Sequence, residues 1–158
     1  MRAFRPSIVF TAAIAMLALT GCTPTMPPEN PNYVIDLSGE LWHKSLSLQP
    51  EETVLIKNAT GELDVMIAGT NPNVYIHGDL PADARVYVAG VNADVTVSGD
   101  IDADATIIIE GDGGTLTTYD DIDEKSTIQF AGKGTTLVQE GFFANLFGDA
   151  SKYIDTQV

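Results

Sequence analysis

Acidic residues recur in this sequence at a fixed spacing, and they are the first groups that could do chemistry. Asp79, Asp100 and Asp121 lie 21 residues apart. Asp102 and Asp123 repeat that interval, as do Asp83 and Asp104. Calcium takes about six to eight oxygen ligands. A calcium site built from Asp79, Asp100, Asp102, Asp121 and Asp123 is therefore one expectation, helped by further oxygens in "GDGGTLTTYDD". The stretch lacks the glycine-aspartate nonapeptide of calcium-binding β-rolls. A plainer use is available, because an Asp side chain can accept a nearby backbone N–H and close a corner. Carboxylates stacked about 4.8 Å apart repel by only about 0.9 kcal/mol in a medium like water, so the columns need no metal to exist. Corner capping is the favoured reading, calcium is the alternative, and no other cofactor is expected.

Catalysis finds little to work with. Pectate-lyase-like helices pair acids with arginine in a long groove, but Arg85 is the sole arginine beyond position 5. Acyltransferase helices use a hexapeptide period and a catalytic His, and 21 is not a multiple of six. His77 stands beside Gly78 and reads as a corner residue. GxSxG, HExxH and glycine-rich phosphate loops are absent from the sequence. A non-catalytic protein is expected.

The remaining chemistry lies near the amino end. Arg2 and Arg5 precede the uncharged run "IVFTAAIAMLAL", which ends in "LTGC" at Leu19 to Cys22. A basic start, a short apolar core and small residues before a cut describe a secretory signal. The apolar run is too short for a span. "LTGC" resembles the lipobox of bacterial lipoproteins, which implies a signal peptide over 1–21 and acylation at Cys22. Cys22 is the only cysteine, so no disulfide within the chain competes for it. Several acyl chains hold firmly, at about 0.8 kcal/mol per buried methylene. Thr23 follows where that family uses Asp for inner-membrane retention, so the resemblance implies the outer membrane, with the leaflet left open. Without Arg2 and Arg5, six Lys and Arg face 22 Asp and Glu, a net charge of −16. Such a surface repels nucleic acid and anionic lipid headgroups, and no nucleic-acid partner is expected.

Residues 22–32 follow as an acylated Cys and a proline-rich tether. "TPTMPPENPNY" holds four prolines and no apolar periodicity, and such stretches stay extended. Beyond it the chain aligns with itself at a step of 21, from Asn58, Asp79, Asp100 and Asp121, with no gap in any row. Val65, Val86, Ile107 and Ile128 form one column. Ile67, Val88, Ile109 and Phe130 form the next. Val74, Val95, Leu116 and Leu137 form a third, and Ile76, Val97, Thr118 and Gln139 a fourth that loses apolar character. Leu80, Ile101 and Ile122 make a fifth, with Ala59 above. Columns two places apart carry the strand period. Gly69, Gly90, Gly111 and Gly132 mark a turn between strands, followed two places on by Asn71, Asn92, Gly113 and Gly134. Asn and Gly tolerate the left-handed conformation a repeated corner would use.

This pattern predicts an all-β single-chain β-solenoid of about four to five 21-residue coils, with a small β-sandwich as the alternative. Residues 33–57 read as a degenerate first coil or cap and 58–141 as the repeats. Residues 142–158 read as an aromatic cap over the last coil, with Phe142, Phe143, Leu146 and Phe147 at helical spacing. Trp42 and His43 are expected to cover the other open edge, since unpaired edges invite aggregation. Met66, Tyr87 and Ile108, with Gln129, would stack outward between two inward columns as a flat, partly apolar strip, either a binding surface, or a face covered by a terminal segment, or ordinary β surface. Tyr75, Thr96, Thr117 and Val138 would form a second outward strip.

The rows resemble two groups, over roughly 58–141 and by period alone. One is the short adhesin-like β-helix of bacterial exported proteins and lipoproteins. The other is the bactofilin fold, a polymerising helix of similarly short coils, although bactofilins are generally cytoplasmic and lack a lipobox. Neither carries functional residues onto this chain. The resulting expectation is a non-catalytic lipoprotein held to the membrane by Cys22. It would present an acidic solenoid as a scaffold or protein-binding surface in the envelope. An end-to-end polymer of copies and a calcium-dependent adhesive domain are the alternatives.

Overall fold

The computed structural model describes residues 26–37 and 42–140. Eleven strands follow one another: β1 (Tyr33–Asp36), β2 (Trp42–Ser47), β3 (Thr53–Lys57), β4 (Leu63–Ala68), β5 (Asn73–His77), β6 (Arg85–Ala89), β7 (Asp94–Val97), β8 (Thr106–Ile109), β9 (Thr115–Thr118), β10 (Thr127–Phe130) and β11 (Thr136–Gln139). Odd-numbered strands form one sheet and even-numbered strands the other, each in chain order. Every pairing is parallel. The chain therefore winds through one strand of each sheet per turn, for about five turns, as a β-solenoid.

The apolar columns are the reason. Val65 pairs with Val86, Val86 with Ile107 and Ile107 with Ile128. Val74, Val95, Leu116 and Leu137 align in the other sheet in the same way. Both columns point into the space between the sheets, and all but Leu137 are buried. Leu80, Ile101 and Ile122 meet through single parallel bridges and close a third, short side. One coil alone would leave its column half exposed, so each coil depends on its neighbours.

The turns between even and odd strands use a left-handed residue in every coil. Asn71, Asn92, Gly113 and Gly134 have φ of 51°, 52°, 72° and 67°. The preceding glycine column works differently. A Cβ on Gly111 would run into the Gly90 backbone, and one on Gly132 into that of Gly111. These glycines let successive turns approach closely.

The ungapped first row needs correction. Val74 pairs with Val95 at a step of 21, but Val54 pairs with Val74 at a step of 20. Seven positions separate Ile56 from Leu63, where eight separate Ile76 from Ala84. The chain balances this by one added residue between β2 and β3, where Glu51 takes the left-handed place with φ 66°. Asn58 consequently follows β3 as Gly78 follows β5, and shares its positive φ, 54° against 87°. It does not head the Asp79 column. Leu63, buried, stands at the register position that Ala84 and Ala105 fill in later coils.

Trp42 and His43 are strand residues of β2, the amino-terminal edge of the even sheet, paired in register with Leu63 and Asp64. The expected aromatic cap at 142–158 and Cys22 lie outside the described residues.

Thr118 is a local flaw in the fourth column. Its side chain is fully buried and its hydroxyl has no hydrogen-bond partner. An unpaired buried hydroxyl costs about 1–3 kcal/mol, while an apolar group of the same shape costs nothing comparable. Thr118→Val, which continues Val97, is expected to raise stability by about 1 kcal/mol in urea unfolding. A loss of stability would mean that the hydroxyl is satisfied.

Candidate functional site

The corners hold most of the acids, and the hydrogen bonds there explain the aspartate columns. Asp79 Oδ1 accepts the backbone N–H of Asp100 at 3.0 Å, and Asp100 Oδ1 accepts that of Asp121 at 3.0 Å. Asp112 Oδ1 accepts the N–H of Lys133 at 2.7 Å in the same manner. Each of these carboxylates reaches one coil further along and takes a donor that the corner would leave free. Asn71 and Asn92 form a parallel rung, Nδ2 of Asn92 donating to Oδ1 of Asn71 at 3.1 Å. Asp123, exposed, closes its own corner and accepts from Lys125 N at 2.8 Å. Asp102 is exposed on the same corner one coil earlier. Asp83 and Asp104 sit with φ of 66° and 63°, as corner residues that tolerate the left-handed region. Among the described residues, no three acids, His or Cys are gathered as a metal ion would require.

Asp120 stands at the same corner. Partial desolvation raises its pKa, and the charges of Asp100, Asp121 and Asp79 add to the rise. A carboxyl whose folded pKa exceeds its unfolded value binds its proton more tightly when folded. It therefore costs stability above that pKa, and the cost fades as pH falls through it. Asp120→Asn is expected to stabilise the protein at neutral pH by about 1 kcal/mol or less, given solvent screening. The advantage should vanish on acidification into the carboxylate range. Thermal midpoints of the two proteins across that range test it, and a gap that persists at low pH contradicts the account.

Between the corners, the sheet faces are nearly uncharged. The outward strip on the even sheet forms as the spacing implies: Met66 pairs with Tyr87, Tyr87 with Ile108 and Ile108 with Gln129. Met66 is 47% exposed, and Tyr87 and Ile108 are half-buried. Ala68 and Ala89 lie beside them in register, so the face is flat. The Tyr87 hydroxyl donates to Glu110, which leans across from the following coil. That hydrogen bond, with desolvation and the negative charge of Glu110, raises the Tyr87 pKa. Sequence periodicity missed this pair because the two residues are 23 apart, off the 21-residue columns.

The second outward strip is different. Tyr75 occupies on the odd sheet the kind of place Tyr87 occupies on the even one, yet it is only 8% exposed. The proline-rich stretch runs beside it, with Pro28 half-buried and Met26 itself 87% exposed. Met26 and Pro28 line a groove of about 300 Å³ together with Thr53, Tyr75, Asp94 and Thr96. Next along, Asn32 N donates to Thr53 O at 2.9 Å, and Thr53 N donates to Asn32 Oδ1 at 2.8 Å. Asp94, at the groove, has its pKa raised by desolvation. Tyr75 also stacks on His77, with ring centroids 6.4 Å apart. His77 itself is exposed at the strand end, and Arg85 projects outward from β6.

The arrangement provides two flat β faces, one of them flanked by the proline-rich stretch, edged by acids. Comparison with protein-family models, with curated proteins and with solved structures finds no match to this chain.

Proposed function

We propose that this chain is a non-catalytic envelope lipoprotein, anchored through acylated Cys22, which presents its solenoid as a scaffold or protein-binding surface. The observation that carries the binding role is the ladder of exposed Met66 and half-buried Tyr87 and Ile108 on a flat face. An exposed run of this kind suits a protein partner, and neighbouring Ala68 and Ala89 let a partner approach closely. The lipobox-like "LTGC" supports the anchor.

The test has two parts. Cys22→Ser should shift the protein from the membrane to the soluble fraction and abolish incorporation of labelled palmitate. Unchanged fractionation rejects the anchor. Tyr87→Asp should keep a cooperative unfolding transition and the β-sheet spectrum, at a lower midpoint because the Glu110 hydrogen bond is replaced by a like charge, while weakening in-cell crosslinks made from residue 66. Crosslinks of undiminished yield would reject the strip as the binding face.

A further inference from the structure

The placement of the proline-rich stretch has a consequence for how the domain sits on a membrane. A tether leaving from an open end of the solenoid would stand the axis upright. Here the chain instead passes over the outward face of the odd sheet, where Met26 and Pro28 share a groove with residues of β3, β5 and β7. Tyr75, on an outward position of β5, lines the same groove and is only 8% exposed. Asn32 continues the β1–β3 ladder at the edge of this sheet through two hydrogen bonds with Thr53, so the stretch before it sets out from the odd sheet.

We infer that the odd sheet is the membrane-facing side of the solenoid, so that the axis lies along the bilayer and the even sheet faces away. The inference rests on the anchor at Cys22 proposed above. Four residue steps separate Cys22 from Met26, and at about 3.6 Å per residue they span at most about 14 Å. The domain is thus held close and by its side. The face can lie near headgroups without a large penalty, because the outward positions of its strands carry two acids, Asp36 and Asp94, and one lysine, Lys57, which pairs with Asp36 at 3.1 Å. The even face is about as sparse in charge, with Asp64, Arg85 and the Glu110 carboxylate that leans onto Tyr87. Charge therefore permits the orientation, and the docked tether selects it. The orientation also turns Met66, Tyr87 and Ile108 toward a protein partner and away from lipid.

The experiment measures height above the bilayer. An azide-bearing residue is placed at Thr117 on the odd face or at Gln129 on the even face, and a donor dye is attached. Energy transfer to acceptors on lipid headgroups is then compared for the protein recovered from membranes. If the recovered chain proves unacylated, its sole cysteine is coupled to a maleimide lipid in vesicles, so failure of the anchor is separated from failure of the orientation. The odd-face dye is expected to transfer more, since stacked sheets lie about 10 Å apart. Tyr75→Ser, which removes the platform under the tether, should bring the two dyes toward equal transfer. Equal transfer in the unaltered protein, or stronger transfer from Gln129, overturns the inference.

Discussion

Ile107→Asp is expected to abolish the cooperative unfolding transition. Ile107 is fully buried and paired on both sides, with Val86 before it and Ile128 after it. A carboxylate there would meet only aliphatic neighbours and no donor. Removing an ionised group from water without a partner costs several kcal/mol even after the pKa shifts. A domain of this kind has a total stability of about 5–15 kcal/mol. The site is also central, so the loss uncouples the coils on either side. Circular dichroism and urea unfolding of Ile107→Asp should show little native signal. Ile107→Val, with one methylene fewer, should cost about 0.5–1.5 kcal/mol and keep the fold. A folded Ile107→Asp protein would mean that the column is not an interior one.

Losing 21 residues is expected to do less harm than losing one. Deleting residues 79–99 joins Gly78 to Asp100 and places Val65 on Ile107, Ile67 on Ile109 and Val74 on Leu116, since the columns continue unbroken. The shortened protein should fold with a lower midpoint, because nearest-neighbour contacts between coils are fewer but of the same kind. Deleting Ile108 alone is another matter. The side-chain period of a strand is two, so the deletion either turns Glu110 inward in place of Ile109 or draws Thr106 into the place of Ile107. Either outcome replaces a fully buried isoleucine and costs several kcal/mol. Urea midpoints of the two deletion proteins, measured side by side, check the ranking. A single-residue deletion more stable than the whole-coil deletion would contradict it.

The parts of this fold that were legible in the sequence are those where one side chain decides one contact. Val86 over Ile107 follows from period and alternation alone, and Asn71 and Asn92 announced their corner because few residues accept positive φ. The 20-residue step was hidden for a chemical reason. Asn58 resembles the Asp79 column in type, and only the backbone pairing of Lys57 with His77 assigns it to the corner of Gly78. The large Leu63 in place of Ala84 gave a second, unread sign of that slip. For the candidate faces, the outward strips were visible but the burial of Tyr75 was not. Tyr75 and Tyr87 are indistinguishable by position in a strand, and a proline-rich stretch has no periodicity to reveal what it lies on. The inter-coil carboxylate bonds of Asp79 and Asp100 were half legible. Corner capping was readable from residue type, but a cap reaching the next coil depends on coil spacing.

The coil with an added residue at one turn and a missing one at the next bears on ancestry. Between those two irregularities β3 remains in phase with β5, so the paired slips are silent in the core. Copying errors in a gene of this kind are survivable when they fall in compensating pairs at the corners, or when they span a complete rung. Such a lineage can change the height of the molecule by duplication or loss of rungs while its cross-section is inherited unchanged.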